Sequence, residues 1–430
     1  MKCFRVRRSG PLRGQVHVPG DKSIGHRALL FAGLAEGTSS LRGVSSGLDN
    51  LATARALEAM SARYTHGDGV IEVVGVGLRG LRMPAGAIDC GNSGTTMRMI
   101  AGLLVGQHFG TRLVGDASLT RRPMRRIVDP LRARGGHIAG VSGKREGEQY
   151  PPLSVAPLVE GESLTGIEYR SPVASAQVKS ALLLSGLYAD GPTIVIEPTL
   201  SRDHTERMLL SFGVPLETAG PAVALDPSRW DGRIPPFSWT VPGDLSSAAF
   251  LLAAAAAVPG SEVLVRGCGA NPTRTGFLDV LRAMRARVDV MSKGEGAGME
   301  PVADVGVAYS TLTGARLGGE LVPRMIDEVP VLAALAATVA GKTEIRDAQE
   351  LRVKESDRIA TMALVLRAFG ADCTELEDGL VVQGGAKLRG ARVKSDGDHR
   401  IAMSAAVLGM CADGDTIVED VECVDTSFPG

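Results

Sequence analysis

The first residues that could do chemistry follow a Pro-Gly turn near the start of the chain. The segment PGDKSIGHR places Lys22, Ser23 and Arg27 at the beginning of a helical pattern. Ser23 and Arg27 stand at positions i and i+4, so they would share a helix face near free backbone N–H groups, which favour an anion. A capped surface helix explains the same residues equally well, and both interpretations stay open.

Other helix starts in the first half of the chain offer similar chemistry. DCGNSGTTMR brings Gly94 and several hydroxyls to a helix start, which suits phosphate although the segment is not a Walker loop. SPVASAQVKS places Ser175 and Gln177 before an apolar helix, where a helix cap is the ordinary explanation. Arg122 lies among the arginines of LTRRPMRR, which are typical of a solvated surface. Each segment alone is compatible with a purely structural role.

The second half of the chain adds carboxylates beside cations. Asp327 stands in MIDEVPVL before an Ala/Leu-rich helix, where an acidic helix cap is the simpler interpretation. Lys354, Glu355 and Arg358 lie close together in VKESDR, so the cations could hold the charge of Glu355 or tune its acidity, although an ordinary ion pair would look the same. Arg400 begins an unusually apolar helix in DHRIAMSAA, which favours a functional role.

Two other kinds of chemistry are disfavoured. SRDHTERM contains Ser, Asp and His, but a catalytic triad is assembled across a fold, so their adjacency gives little support to a hydrolase. The 6 cysteines form no CxxC pair, which argues against a zinc finger and against a disulfide framework. We therefore expect reduced thiols and no metal site.

The composition indicates a folded, water-soluble protein of more than one domain. The 430 residues are 44% hydrophobic and 22% charged, and chains of this length usually divide into two or three domains. The formal net charge is -1, so no overall field would attract nucleic acid or an anionic membrane. The apolar stretches are too short to span a bilayer, and no apolar segment of a secretory signal follows the basic start, so we expect a cytoplasmic protein.

An internal repeat predicts the elements that position these residues. Amphipathic helices that run into short strands recur along the chain, and helices rich in Ala, Leu and Met lie between them. The segment VPGD occurs at 18–21 and again at 241–244, each time before such an apolar helix. We expect crossovers near these segments between two α/β domains of three units each. One domain comprises residues 21–241; the other comprises 1–20 and 242–430, and its last unit is incomplete.

The motifs, in this order and over essentially the whole chain, resemble the EPSP (5-enolpyruvylshikimate-3-phosphate) synthase family. They are PGDKS-x-x-HR, GNSGTTMR, the Arg-Pro pair of TRRPM, SAQ-x-KSALL, RVKESDR and DHR-x-AMS. The resemblance implies an inside-out α/β barrel of two domains, each with three βαβαββ units. It also implies transfer of the enolpyruvyl group of phosphoenolpyruvate to the 5-hydroxyl of shikimate 3-phosphate with release of phosphate, in aromatic amino-acid biosynthesis. No metal or organic cofactor is implied, and we expect a monomer whose partners are these small molecules, without nucleic acid or membrane.

The resemblance also implies a role for each motif residue. The residues implied to bind shikimate 3-phosphate are Lys22, Ser23, Arg27, Ser175, Gln177, Arg202, Asp327 and Lys354. Those implied to bind phosphoenolpyruvate are Lys22, Gly94, Arg122, Gln177, Arg358 and Arg400. The expected catalytic residues are Lys22, which would contact both substrates, Asp327, which would take the proton of the attacking hydroxyl, and Glu355, which would protonate the methylene carbon.

Departures from the family pattern and two alternatives accompany this interpretation. Ala176 and the SRDH segment are closer to the second class of the family, and DTSFPG lacks a lysine that many members carry. UDP-N-acetylglucosamine enolpyruvyl transferase shares the fold and the donor, but it expects Lys-Asn where this chain has Lys22 and Ser23, and a cysteine that LVGDASLTRRPM lacks. A non-catalytic binding protein of the same fold is the other alternative; the retained Asp327 and Glu355 argue against it.

Overall fold

The two VPGD segments mark the places where the chain passes from one structural unit to the other. The computed structural model describes residues 2–143 and 145–429. Unit 1 comprises Met1–Asp21, Pro242–Glu295 and Pro301–Gly430, and unit 2 comprises Lys22–Val241 and Gly296–Glu300. The structure is mixed α/β, so the predicted fold class is confirmed.

Helices of two kinds alternate along the described chain. One kind begins with small polar residues and continues with Ala, Leu and Met, so that nearly every side chain is buried. The other kind is amphipathic and keeps one face exposed. In chain order the helices are α1 (Lys22–Leu34), α2 (Leu48–Glu58), α3 (Gly94–Leu104), α4 (Arg125–Ala133), α5 (Ala176–Gly186), α6 (His204–Ser211), α7 (Leu245–Ala257), α8 (Gly276–Ala283), α9 (Val329–Thr338), α10 (Arg358–Ala368) and α11 (His399–Cys411).

The strands are short and form six sheets among the described residues. In chain order they are β1 (Cys3–Val6), β2 (Arg13–Val16), β3 (Thr38–Arg42), β4 (Arg63–Gly67), β5 (Val70–Val74), β6 (Ile88–Asp89), β7 (Thr111–Val114), β8 (Ile138–Ser142), β9 (Gln149–Val155), β10 (Leu164–Arg170), β11 (Ala189–Ile196), β12 (Leu216–Ala219), β13 (Ala222–Leu225), β14 (Ser238–Thr240), β15 (Glu262–Gly269), β16 (Arg287–Glu295), β17 (Pro301–Ala308), β18 (Arg316–Leu317), β19 (Gly341–Ile345), β20 (Asp372–Leu376), β21 (Gly379–Gly384), β22 (Arg392–Lys394) and β23 (Thr416–Glu419).

One pairing pattern recurs in both units. The sheets of unit 2 have the strand orders β14-β3-β5-β4, β6-β7-β9-β8 and β10-β11-β13-β12. Each contains one parallel pair followed by two antiparallel pairs, as shown by β10-β11, β11-β13 and β12-β13. Unit 1 repeats this in β16-β17-β15-β2 and β18-β19-β21-β20, and its third sheet has three strands in the order β1-β23-β22. The strands of a parallel pair need a long connection, which is usually a helix, and the helices α3, α5, α9 and α11 each lie between two such strands.

Each unit has its own apolar core. In unit 2, α1, α3 and α5 each contribute a run of buried apolar residues to the core, and α7, α9 and α11 do so in unit 1. α3 and α5 approach closely at Gly102, where an added Cβ would lie 2.5 Å from the Ala181 carbonyl oxygen. Among the described residues, no helix is both long and apolar enough to cross a membrane.

The turn between β16 and β17 belongs to unit 2. Both strands are part of unit 1, whereas Gly296–Glu300 is grouped with unit 2. Ala297 is part of the apolar core of unit 2, and the Glu300 carboxylate lies 2.7 Å from Nδ1 of the buried His204. The apolar contact of Ala297 and the buried pair of Glu300 with His204 thus hold this turn in unit 2, although the strands on either side of it belong to unit 1.

The close contact between α3 and α5 generates a stability prediction. Gly102→Ala should lower the free energy of unfolding by about 1–3 kcal/mol, because the new methyl meets backbone atoms of α5 that cannot rotate away. Urea unfolding followed by circular dichroism measures this change. The control is Gly86→Ala, whose Cβ meets nothing within 4 Å and should change stability by less than about 0.5 kcal/mol. Equal stability of the two variants would contradict the close packing.

Candidate active site

The first two turns of α1 carry two of the cations of unit 2. Lys22 begins the helix, and its ammonium lies 3.0 Å from the carboxylate of Asp49 in the first turn of α2. Ser23 is partly buried, and Arg27 is buried one turn later. The Arg27 guanidinium donates to the Ser23 carbonyl at 2.9 Å. The i, i+4 spacing thus brings Ser23 and Arg27 together.

Arg27 also connects α1 to two other helices. Its guanidinium donates to the hydroxyls of Thr205 in α6 and Ser180 in α5, each at 2.7 Å. These hydroxyls are also 2.7 Å from each other. Because buried N–H groups must be paired to offset lost hydration, this set of bonds holds α1, α5 and α6 in one arrangement.

A second cluster surrounds the start of α3. The Gln177 side-chain oxygen in α5 accepts from Arg98 Nη1 at 2.6 Å, and Arg122 donates to the Asn92 side chain at 2.7 Å. A Cβ on Gly94 would lie 2.8 Å from Arg98 Nη1 and 3.2 Å from Arg122 Nη1. The missing side chain at Gly94 therefore lets two guanidiniums approach the helix N-terminus, where backbone N–H groups also favour an anion.

A buried hydrogen-bond chain lies behind these helix starts. His26 Nδ1 is 2.7 Å from the Thr53 hydroxyl, which is 2.7 Å from the Thr96 hydroxyl, and Thr96 donates to the Ser93 hydroxyl at 2.8 Å. Burial, together with two neighbouring cations, holds the pKa of His26 well below its ordinary value. The imidazole is therefore neutral at physiological pH and adds no charge to the cations around it.

Ser175 and Arg202 belong to two loops that share one carboxylate. Ser175 caps α5, where its hydroxyl accepts from Val178 N at 3.4 Å, and its own backbone N–H donates to Glu197 at 2.7 Å. Arg202 is partly buried before α6 and follows Ser201, whose hydroxyl donates to Glu197 at 2.7 Å. The backbone of Ser175 and the residue before Arg202 thus share one acceptor.

In unit 1, a buried guanidinium gathers three carboxylates. Arg358, at the start of α10, donates to Asp398 at 2.7 Å, to Glu355 at 2.6 Å and to Asp327 at 3.2 Å. Its side chain is 1% exposed. Burial alone would lower the pKa of Arg358, but the neighbouring carboxylates outweigh it and raise that pKa above its usual value. The cation is therefore permanent, and it fixes the positions of the carboxylates.

Arg400 and Lys354 belong to the same group of charges. Arg400 donates to the Asp327 carbonyl at 3.0 Å and lies 3.9 Å from the carboxylates of Asp327 and Glu328. Burial lowers the pKa of Lys354, and the charge of Asp327 partly offsets this effect. Both cations therefore lie within the electrostatic range of Asp327.

The aspartates of the two VPGD segments meet at a buried arginine. Arg274 Nη1 lies 3.4 Å from Asp21, and its Nη2 lies 3.1 Å from Asp244. Arg274 also donates to the Ser246 hydroxyl at 2.7 Å, and that hydroxyl donates to Glu328. The crossover segments are thus linked by hydrogen bonds to the neighbour of Asp327.

The structure brings most of the predicted residues into clusters within each unit. In unit 2 the clusters contain Ser23 with Arg27, and Gly94 with Arg122 and Gln177; in unit 1 one cluster contains Asp327, Glu355, Arg358 and Arg400. Sequence reasoning missed their partners Asp49, Arg98, Glu197 and Asp398. Arg98 and Asp398 stand inside motifs that the sequence singled out, so those motifs could have indicated them, whereas nothing in the sequence pointed to Asp49 or Glu197.

The arrangement supports two kinds of chemistry. Guanidinium, ammonium and helix N-terminal groups in both units suit phosphate and carboxylate anions. Asp327 and Glu355 are carboxylates placed beside cations, so they suit proton transfer to and from a bound molecule. The combination is typical of an enzyme that handles phosphorylated substrates with acid and base catalysis.

Comparison with known proteins gives one consistent result. Residues 6–430 match the family model described as EPSP synthase (3-phosphoshikimate 1-carboxyvinyltransferase). The chain is 52% identical over 420 residues to a 3-phosphoshikimate 1-carboxyvinyltransferase of Geobacter sulfurreducens, covering 97% of this chain and 95% of that protein. The one from Geobacter metallireducens is 49% identical over 430 residues, covering 100% and 97%. A solved EPSP synthase from Acinetobacter baumannii is similar with a TM-score of 0.86 and 41% identity, covering 100% of this chain and 96% of that one.

The cluster around Arg358 generates a prediction that compares two of its carboxylates. Asp398→Asn should lower the free energy of unfolding by about 3 kcal/mol or more, because it removes a fully buried counter-charge. Glu355→Gln should cost only about 1 kcal/mol, because Glu355 is more exposed and its amide still accepts a hydrogen bond. Chemical denaturation of both variants measures the difference. Equal losses would show that Asp398 is not the principal counter-ion of Arg358.

Proposed function

The chain belongs to the EPSP synthase family, and from this premise we propose how its residues divide the reaction between them. Its activity is that of a 3-phosphoshikimate 1-carboxyvinyltransferase, a transferase of the shikimate pathway of aromatic amino-acid biosynthesis. Its substrates are phosphoenolpyruvate and shikimate 3-phosphate. The observation that carries the residue assignment is the cluster in which buried Arg358 holds Asp327 and Glu355.

In this proposal, arginines bind phosphoenolpyruvate. In unit 2, Arg122, Gln177 and the bare backbone of Gly94 form one cluster with Arg98, and their N–H groups suit an anionic group of the donor. In unit 1, Arg358 and Arg400 supply further guanidinium groups. Lys22 contacts both substrates and lowers the repulsion between their negative charges.

Shikimate 3-phosphate is assigned to hydroxyl and cationic groups. Its phosphate is assigned to Ser23, Arg27, Ser175 and Arg202. Ser23 and Arg27 are in contact, and Glu197 accepts from the Ser175 backbone and from Ser201, the residue before Arg202. Its hydroxyl groups and ring are assigned to the remaining residues, Lys22, Gln177, Asp327 and Lys354. The buried partners of these side chains fix their positions before the substrate binds, which reduces the entropy lost on binding.

Proton transfer is assigned to the two carboxylates of unit 1. Glu355 donates a proton to the methylene carbon of phosphoenolpyruvate, which leaves a cationic carbon beside the phosphate oxygen. The 5-hydroxyl oxygen of shikimate 3-phosphate bonds to that carbon while Asp327 takes the hydroxyl proton. Glu355, which is a carboxylate after the first step, then takes a proton from the new methyl group, and the double bond re-forms as the bond to the phosphate oxygen breaks. Arginine and lysine groups stabilise the departing phosphate.

We also propose that the enzyme works as a monomer in the cytoplasm and that units 1 and 2 are its two domains. One chain supplies every group assigned above, and both substrates are water-soluble anions. Three sheets with recurring strand orders in each unit support a domain of three repeats.

A phosphate-release assay tests the function and the two proton-transfer residues together. The wild-type protein should release phosphate only when both substrates are present, and UDP-N-acetylglucosamine should not replace shikimate 3-phosphate. Asp327→Asn and Glu355→Gln should each lower kcat by a factor on the order of 100 or more, because each removes a proton-transfer group. Binding of shikimate 3-phosphate, measured by calorimetry, should stay nearly unchanged in both variants.

The matched control for this assay is Glu262→Gln in the same unit. Glu262 is exposed in β15 and is paired with exposed Arg287 at 3.5 Å, so its loss should leave kcat unchanged. Full turnover in Asp327→Asn or Glu355→Gln would remove that residue from catalysis. Absence of phosphate release by the wild-type protein would contradict the function itself.

Gly94 generates a prediction that is specific for the donor. Gly94→Ala should raise the KM for phosphoenolpyruvate severalfold and leave that for shikimate 3-phosphate nearly unchanged, because the methyl displaces the guanidiniums of Arg98 and Arg122. Both contacts involve the ends of flexible side chains, so the thermal unfolding midpoint should hardly change. Steady-state titration of each substrate and a thermal melt test this. A lower midpoint with equal effects on both KM values would indicate a purely structural glycine.

A further inference from the structure

Unit 2 contains a buried ionic cluster that the mechanism above does not use. Lys179 Nζ in α5 lies 2.8 Å from Glu197 and 2.7 Å from Glu206, and no side chain of the three is more than 5% exposed. Burial of three ionisable groups is costly unless they are paired and hydrogen-bonded. Three apolar side chains would fill the same volume with a smaller desolvation penalty. We therefore expect this cluster to have a role that depends on its charges.

The two carboxylates of this cluster have different surroundings. Glu206 contacts Lys179 through one oxygen, and its other oxygen is buried without a hydrogen-bond partner among the described residues. Burial raises the pKa of Glu206. Glu197 instead accepts bonds on both oxygens, so it has more hydrogen-bond donors than Glu206. Lys179 is paired with both carboxylates, but Glu197 is the one that also bonds the neighbouring loops.

Glu197 reaches the two loops that carry residues assigned to the substrate phosphate. Strand β11 ends at Ile196, which places Glu197 at the start of a loop. One oxygen accepts from Ser175 N at 2.7 Å. The other accepts from the Ser201 hydroxyl at 2.7 Å and from Ser201 N at 3.3 Å. Each of these groups donates a hydrogen bond to Glu197. The side chain at this position must therefore have two acceptor oxygens, as a carboxylate does.

Lys179 connects Glu197 to the same two segments. It lies one turn beyond Ser175 in the same helix, and its backbone N–H donates to the Ser175 carbonyl at 3.0 Å. Its ammonium contacts Glu197 and also donates to the Ser201 carbonyl at 3.5 Å. Lys179 and Glu197 thus form charged hydrogen bonds that connect the start of α5 to the loop before Arg202.

We propose that Glu197, held by Lys179, is a positioning residue for shikimate 3-phosphate. Its carboxylate fixes the backbone at Ser175 and Ser201, and so sets the separation between the Ser175 hydroxyl and the Arg202 guanidinium that receive the substrate phosphate. Glu197 touches neither substrate in this account. The inference rests on the proposed function, because it uses the assignment of Ser175 and Arg202 to that phosphate.

The test compares isosteric variants of the two carboxylates that share Lys179. Glu197→Gln should raise the KM for shikimate 3-phosphate about tenfold, the factor expected when one charged hydrogen bond is lost. A glutamine side chain has one acceptor oxygen and one NH2 group. In either orientation the NH2 group would face a backbone N–H, that of Ser175 or that of Ser201, so the two loops must move apart. The KM for phosphoenolpyruvate should stay within about twofold of the wild-type value, since Glu197 bonds Ser175 and Ser201, which are not assigned to that substrate. Glu206→Gln, the matched control, should leave both KM values within the same limit, because Glu206 contacts neither loop.

A second variant guards against misfolding of Glu197→Gln. Ser201→Ala removes one donor to Glu197 and no charge, so it should fold and raise the KM for shikimate 3-phosphate about threefold, with that for phosphoenolpyruvate unchanged. The double variant Ser175→Ala/Glu197→Gln should show a smaller combined effect than the product of the single effects, because both act through the same phosphate contact. Thermal midpoints of all variants are recorded in parallel.

The outcomes separate this inference from the proposed function. Wild-type protein without phosphate release would contradict the function. An active wild type in which Glu197→Gln and Ser201→Ala leave the KM for shikimate 3-phosphate unchanged would overturn the positioning role alone. Equal rises in both KM values, or the same rise in Glu206→Gln, would also overturn it, since they would show that the cluster only stabilises the fold.

Discussion

A buried guanidinium must be neutralised by nearby carboxylates, and at Arg358 this requirement determines where several charged side chains of unit 1 lie. Asp398 is the most deeply buried of its three carboxylate partners, and it also caps α11 by accepting from Arg400 N at 2.9 Å. The same carboxylate therefore orients Arg358 and begins the helix that presents Arg400. Asp327 and Glu355 complete the neutralisation. The groups assigned to proton transfer are thus held in place by the electrostatics of one cation.

Unit 2 positions its residues by a different kind of contact. The Arg27 guanidinium bonds hydroxyls of two helices, and the chain from His26 to Ser93 consists of neutral donors and acceptors. Such networks have one satisfied arrangement, because every buried donor must find its acceptor. Rigid positioning in this unit therefore comes mainly from hydroxyl networks, to which ion pairs such as Lys179 with Glu197 and Lys22 with Asp49 are added.

The sequence predicts best what is local. VPGD, the apolar helices and the residues at helix starts repeat with regular spacing, so the fold class could be anticipated. The grouping of Gly94 with Arg122 followed instead from the resemblance of their motifs to the family. The partners of these residues come from distant segments without any periodic signal. Glu197 contacts Ser175 across a strand, and Glu300 contacts His204 from a hairpin whose sequence, GEGAGME, gives no sign of burial. Pairing between remote residues depends on the packed fold, which spacing alone does not encode.

Burial also separates the roles of the three carboxylates at Arg358. The Asp398 side chain is fully buried and engages both oxygens with Arg358, so a substrate proton cannot reach it without breaking the cluster. The side chains of Asp327 and Glu355 are 15% and 17% exposed, and each therefore has surface that a bound molecule can contact. A proton-transfer group must lie within hydrogen-bond distance of the reacting atom. Accessibility therefore supports the proposed assignment of proton transfer to Asp327 and Glu355, and it is consistent with Asp398 as the structural counter-ion that keeps Arg358 in place.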